Sequence, residues 1–401
     1  MRKMKRRHFL KSALSGIPLL SSKALSTQIL EKQPSSQSPY PRKRARELGI
    51  KIGDQEPGPY NAITDVPGIR VGHTTIIQGK GRGAVRTGVT VILPQEGNIQ
   101  EENLFASYFN LNGWGEMTGI APVEQTGRLQ SPIFLTGTYN VGIVYDVAVE
   151  YLRKNHKEDL GAFPAPIVAE CFDDFLSDSQ KRLITKEDVF RAIEGAKSGP
   201  VEEGAVGGGT GMVCFDFKGG IGTSSRIVPM KDKKYAIGVL VMANTSDRSL
   251  LRINGFPVGK EIQGYEYKAG KSKSIILVAA TNAPLLPFQL KKIAKRVALG
   301  LAQTGATSNT GSGDIILTFS TANKIPRHHP ESFQKIQSLN DFWITPLYQA
   351  TVEATQEAII NALTTARTIV GRDGNTAYGI PLDQVKKIIE KYESIKGKQL
   401  E

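Results

Sequence analysis

Residues 274–305 read SIILVAATNAPLLPFQLKKIAKRVALGLAQTG, and two periodicities meet in them. Ser274–Thr281 is a short, uncharged run of β-branched and small apolar residues, which predicts a strand buried on both faces. After Pro287 the pattern changes. Leu286, Leu290, Ile293, Val297 and Leu301 recur at steps of three and four, while Lys291, Lys292, Lys295 and Arg296 cover the other face. That is an amphipathic helix, with Gly305 placed to close it.

The same alternation continues outward. Further strands are expected at Gly88–Leu93, Pro132–Thr136, Pro166–Cys171, Ala236–Ala243 and Asp314–Ser320. A second long helix is expected from about Tyr348 to Val370, with Val352, Ile359, Leu363 and Ala366 on one stripe and Gly371 as its stop. Strands and helices mixed throughout, with no fixed-period repeat, predict one compact α/β or layered α+β domain. Residues 204–223, GAVGGGTGMVCFDFKGGIGT, are too rich in glycine for the interior of a regular element. They suit either a loop whose N–H groups approach a ligand or a tight crossing between packed layers.

The N-terminus reads as an address. Arg6-Arg7-His8-Phe9-Leu10-Lys11 precedes a short apolar run, Ala13 to Leu20, and Ser22-Lys23-Ala24 offers a small-x-small cleavage site. This is the twin-arginine export pattern, and the run is too short for a membrane span. Residues 1–24 are therefore expected to be a signal peptide, residues 25–45 a linker, and the mature protein periplasmic or extracellular. The formal charge of +13 includes seven Lys or Arg from residues 1–24, leaving +6. Arg42, Lys43, Arg44 and Arg46 form a further cluster, expected to be a solvated arm. No basic stripe interleaved with aromatics supports nucleic-acid binding. The only cysteines, Cys171 and Cys214, lie in apolar contexts and are expected as two buried thiols.

Much familiar chemistry is excluded. The sequence has neither a G-x-S-x-G elbow nor a GxxxxGK[ST] loop. Of the histidines His8, His73, His156, His328 and His329, only His73 sits in a well-ordered segment, and none has metal-ligand spacing. A hydrolase can still work without histidine, metal or cofactor if its nucleophile is an N-terminal residue. The free α-amine, with a pKa near about 7.7–8.0, can take the hydroxyl proton itself. An internal serine gains such an amine only when the bond before it breaks.

The stretch 274–305 resembles the β-chain start of the DmpA/BapA family of self-processing aminopeptidases, which act on L-, D- and β-amino acid N-termini. Further similarity lies in GPYNAITDVPGIRVGHTT at 58–75, NGWGEMTG at 112–119, GGGTGMVCFDFKGGIGTSSR at 207–226, GSGDIILTFSTAN at 311–323 and GRDGNTAYGIPLD at 371–383. The match runs in the family's order through nearly all of the mature protein. It implies a four-layer α/β/β/α sandwich, distantly like ornithine acetyltransferase. Residues 46–273 would be the α-chain part, residues 274–401 the β-chain part, and the cleaved protomers would form a homo-oligomer.

By the same resemblance, Ser274 is the nucleophile and new N-terminus, and the Asn244 side-chain amide is an oxyanion donor. Ser312 bonds the amine or hydroxyl of Ser274, and Asp314 orients and charge-balances it. Glu170 is the acid that meets the substrate amine. Phe172 stands where some relatives carry tyrosine, so its ring shapes the pocket without a hydroxyl. Two departures stand out: Lys273 precedes the cut where relatives usually have glycine, and Asn282 replaces a common aspartate. Together with Phe172 these departures motivate a competing reading, an uncut binding protein without activity. A third reading is an acyltransferase that passes the acyl group to an amine, although that related group begins its β-chain with threonine.

Overall fold

The computed structural model describes residues 41–155, 165–265, 273–327 and 331–398. The signal segment 1–24, the linker as far as residue 40, and His8, His156, His328 and His329 lie outside them. β1 (Arg70–Gln78), β2 (Val85–Leu93), β5 (Ile133–Gly137) and β6 (Ile167–Cys171) form one sheet in that order. The second sheet runs β4 (Arg128–Leu129), β3 (Glu102–Gly113), β12 (Gly313–Pro326), β11 (Ser274–Thr281), β10 (Lys233–Asn244) and β9 (Gly220–Met230). A short hairpin, β7 (Val213–Cys214) and β8 (Phe217–Lys218), precedes β9.

Side-chain alternation along each strand decides the layering. Leu240, Met242, Ile276, Val278, Ile315 and Leu317 face Leu135, Ala169 and Cys171 of the other sheet and form the middle core. The alternate residues Val239, Val241, Ile275 and Leu277 pack against the helices Pro287–Gln303 and Thr345–Thr365. The helices Val141–Lys154 and Lys186–Glu194 cover the outer face of the four-stranded sheet through Val144, Val147, Val189 and Ile193. The result is the α/β/β/α sandwich.

Three expectations change. The long helix spans Thr345–Thr365, with proline in its first turn, and ends where Ala366 turns extended (φ −72°, ψ 130°). Ile369–Val370 is a short strand, so Gly371 stops nothing. The basic cluster is not a solvated arm. Arg42 donates to the carbonyls of Ile380 and Leu363, Arg44 pairs with Glu203 at 2.6 Å, and Arg46 pairs with Glu357 at 3.0 Å. Glu203 and Glu357 are buried carboxylates that need counter-ions, and no local pattern around residue 44 announces them.

The glycine-rich segment turns out to be largely a crossing. Gly222 lies inside β9, and a Cβ there would meet Ala358 O at 2.0 Å, so glycine lets the helix Thr345–Thr365 seat directly on the strand. Gly208 likewise sits where a side chain would strike Leu135 O of the opposing sheet.

Candidate functional site

Antiparallel pairing places Asn244, the last residue of β10, directly opposite Ser274, the first residue of β11. Both share the parity of Met242 and Ile276, so both side chains face the space between the sheets. The Asn244 amide is oriented by its surroundings. Its Oδ1 accepts the Val213 N–H at 2.8 Å, which leaves Nδ2 as the donor. One N–H of that group reaches Phe172 O at 3.2 Å, and a primary amide has a second to offer.

Ser274 Oγ accepts the backbone N–H of Gly313 at 3.1 Å. This contact takes the place of the expected bond from Ser312, whose hydroxyl instead donates to Asp314 Oδ1 at 2.5 Å. Asp314 pairs in register with Ile275 and shares its face, beneath the start of β11. Burial raises the Asp314 carboxyl above its ordinary range, offset in part by the hydroxyls of Ser308 and Ser312 and by the Ile275 N–H. Its Oδ2 makes no hydrogen bond of good geometry among the described residues.

Glu170, on β6, closes the other side. A Cβ on Gly115 would lie 3.1 Å from Gly313 Cα and 3.3 Å from Glu170 Oε1, so the carboxylate and the Gly313 turn share one wall. Oε1 accepts the Glu116 N–H at 3.0 Å, and Oε2 accepts the Thr138 hydroxyl. Burial raises its pKa, and these two donors pull it partly back. Phe172 packs edge-on against Tyr139 at 5.9 Å between ring centroids, and the exposed rings of Tyr139 and Trp114 flank the site.

The remaining expectations separate cleanly from this cluster. His73 Nδ1 bonds Thr90 Oγ1 at 2.9 Å on β1, and burial pushes its pKa down to about 4. β1 stands three strands from β6 in its sheet, or roughly 14 Å at the usual strand spacing, so His73 is no partner for Ser274. Asn282 follows the far end of β11, about 26 Å of extended strand from Ser274; its Oδ1 accepts the Ala236 N–H and caps the pairing there. It therefore says nothing about activity. Cys171 and Cys214 are buried and unbridged. Among the described residues, no three His, Cys, Asp or Glu side chains are grouped to hold a metal ion.

Gly313, Val213 and Thr138 are the site residues that sequence reasoning missed. Two of them act through backbone N–H groups, which every residue but proline carries. Only the close approach of Gly313 to Gly115, where a Cβ would lie 2.7 Å from the Gly115 Cα, hints that its identity matters.

A paired hydroxyl, amide donor and carboxylate fit acyl transfer, and comparison with known proteins decides the lineage. Residues 61–377 match peptidase family S58. The chain belongs to this family. It is 42% identical over 367 residues to the beta-peptidyl aminopeptidase BapA of Sphingosinicella xenopeptidilytica, covering 86% of this chain and 91% of that one. A Burkholderia sp. beta-aminopeptidase superposes with a TM-score of 0.82 at 38% identity, over 87% of this chain and 99% of the other. The L-aminopeptidase D-Ala-esterase/amidase of Ochrobactrum anthropi, a variant of the Ntn hydrolase fold, gives 0.81 at 35% identity, over 88% and 99%. This S58 member is thus a serine peptidase built on the Ntn-hydrolase sandwich.

Proposed function

We propose that this S58 peptidase is an exported aminopeptidase that cuts its own backbone between Lys273 and Ser274. It then releases N-terminal residues from peptides, amides or esters through an acyl-enzyme on Ser274. The observation that carries this reading is the Asn244–Ser274 pairing, which sets a donor amide beside a hydroxyl at a strand start; His73, the one histidine among the described residues, bonds Thr90 instead. In the mature enzyme the Ser274 α-amine takes the hydroxyl proton as Oγ adds to the substrate carbonyl. The Asn244 amide stabilises the oxyanion, a contribution worth roughly 3–4 kcal/mol for one well-placed donor. The Gly313 N–H positions Oγ.

Glu170 receives the substrate's ammonium, which is what makes the enzyme an aminopeptidase. Asp314, through its Oδ2, and its hydrogen-bonded Ser312 lie at the start of β11, where they hold and charge-balance the new amine. One relative is a beta-peptidyl aminopeptidase and another an L-aminopeptidase D-Ala-esterase/amidase, so the panel to assay is β-peptides, L-aminoacyl amides, and D-Ala amides and esters. No cofactor takes part. The twin-arginine segment directs export, and no helix among the described residues is long and apolar enough to cross a membrane. The cleaved protomers assemble as a homo-oligomer.

Intact mass tests the reading directly. Purified protein contains a C-terminal piece of 128 residues, Ser274 to Glu401, and hydrolyses aminoacyl p-nitroanilides. Ser274→Ala stays whole and inactive. A folded wild-type protein that remains uncut after long incubation and binds these compounds without turnover would sink the proposal and leave the binding-protein reading.

A further inference from the structure

Self-cleavage needs two atoms held together, and the sheet fixes only one of them. Ser274 is placed by its pairing with Asn244 and by the neighbouring pair Ile275–Asp314. The carbonyl that its hydroxyl must attack belongs to Lys273, one residue before β11 begins. That residue is held through its side chain. Lys273 is 4% exposed, and its Nζ donates at 2.6 Å to each of Asp216 Oδ1, Asp247 Oδ1 and Ser246 O. An ammonium has three protons to donate, so these acceptors match it fully.

The acceptors come from two separate elements. Asp216 lies in the two-residue turn between β7 and β8, and Asp247 and Ser246 in the loop that follows Asn244. The turn is unusual. Both central residues, Phe215 and Asp216, have positive φ (49° and 59°), a conformation that favours Asn-Gly and costs other residues of order 1 kcal/mol or more each. It is nonetheless fixed from several sides. Phe215 is fully buried, its N–H donates to Thr245 O at 2.7 Å, and Asp216 Oδ2 accepts the Arg248 N–H at 2.8 Å. Strand parity puts Lys273 on the face of Ile275, so its side chain leaves the inter-sheet space that Ser274 and Asn244 face.

We propose that Asp216 and Asp247 form a clamp on the residue preceding the cut. The clamp positions the Lys273 carbonyl for attack by Ser274 and afterwards retains the new C-terminus that cleavage creates at Lys273. The proposal rests on the self-cleavage described above and names the positioning residues for it. In the first step Ser274 Oγ bonds to the Lys273 carbonyl carbon as the C–N bond breaks. The hydroxyl proton passes to the departing nitrogen, and an ester replaces the amide. Water then adds to the ester carbon and returns a proton to Oγ, leaving the Lys273 carboxylate and a free Ser274 amine. Through both steps the lysine side chain stays anchored, since its ammonium takes no part.

The test follows self-cleavage by intact mass after a pulse of synthesis of the full-length protein. Four proteins are compared: wild type, Ser274→Ala, Asp216→Asn with Asp247→Asn, and a charge-neutral triple variant that adds Lys273→Met. Loosening the carbonyl slows cleavage by about tenfold to a hundredfold in the double and triple variants, the usual loss for a misplacement near 1 Å. Peptide turnover per cut molecule stays at the wild-type level, which a merely structural role would not allow. Because the triple variant buries no unpaired charge, it preserves the test should the double variant not fold. Cleavage of the triple variant at the wild-type rate, with Ser274→Ala still whole, overturns the clamp and leaves self-cleavage standing. A wild-type protein that never cleaves overturns both.

Discussion

Asn244→Ala is the sharpest test of the proposed chemistry, because one side chain carries two separable consequences. The Nδ2 donor is lost, and with it stabilisation of the oxyanion, so kcat falls by about 10²–10³, equivalent to roughly 3–4 kcal/mol. The Oδ1 acceptor is lost too, leaving the buried Val213 N–H without a partner at a stability cost of about 1–3 kcal/mol. For a protein of this length the unfolding entropy is near 0.8 kcal/mol/K, so Tm drops by only about 1–4 °C. A large kinetic loss with a small thermal one distinguishes a missing donor from a damaged fold. The assay is initial-rate hydrolysis of aminoacyl p-nitroanilides, normalised to cut molecules by intact mass. A variant left uncut indicates that one oxyanion site serves both self-cleavage and turnover. An alanine variant cut as fast as wild type, with kcat within about threefold of it, would refute the reasoning.

Three further outcomes follow from the same geometry. Glu170→Gln removes the charged acceptor for the substrate's ammonium and lowers kcat/KM by about tenfold to a hundredfold, the worth of one charge-assisted hydrogen bond. Because burial raises the Glu170 pKa and binding needs its carboxylate form, wild-type kcat/KM falls as pH drops through that raised value. The glutamine variant lacks this acid limb, and a pH profile of both proteins checks it. Gly313→Ala drives a Cβ against the backbone of Trp114 and Gly115, shifts the N–H that holds Ser274 Oγ, and costs about tenfold to a hundredfold in kcat; a rate equal to wild type would show that this N–H is idle. His73, half-buried and with its pKa lowered by desolvation from 6.5 to about 4, contributes stability that is complete above pH 6.5 and is lost as pH falls toward 4. Between pH 7 and pH 5 that loss is roughly 2 kcal/mol, so His73→Asn loses about that much less over this interval when urea midpoints are compared, with kcat unchanged.

How much of this was legible in the sequence depended on whether a feature is local. β11 and the helix after it follow from local alternation and a 3.6-residue period, and the structure places them at Ser274–Thr281 and Pro287–Gln303. β9 stayed hidden because Gly220 and Gly222 depress strand character, yet Gly222 is required where the helix Thr345–Thr365 presses on the strand and Gly220 where the Gly204 carbonyl approaches. β3 stayed hidden because Asn110 and Asn112 interrupt its alternation. In the site, Ser274, Asn244 and Glu170 stood out only through resemblance to a family, since each is an ordinary residue in an apolar run. The clamp was invisible altogether. Asp216 lies 57 positions from Lys273, and nothing in the spacing of one lysine and two aspartates says that a turn with positive φ will join them. The same blindness made Arg44 and Arg46 look solvated when their partners are Glu203 and Glu357.

What joins the fold to the chemistry is strand register. Asn244 ends β10 and Ser274 begins β11, so the two meet only if these strands pair as they do, with Met242 opposite Ile276 and Leu240 opposite Val278. A slip of one residue would turn every side chain of β11 to its other face, sending the hydroxyl toward the helices and Lys273 into the inter-sheet space. Both faces of β10 and β11 are packed, the even positions against the four-stranded sheet and the odd ones against the two helices, so neither slip direction leaves an acceptable core. The apolar alternation that builds two cores thereby also points Ser274 and Asn244, the proposed nucleophile and oxyanion donor, into one space, and Lys273, the residue before the proposed cut, into another. Catalysis in this architecture depends on packing more directly than in a site assembled from loops, and core substitutions in β10 or β11 that loosen register should lower kcat before they unfold the protein.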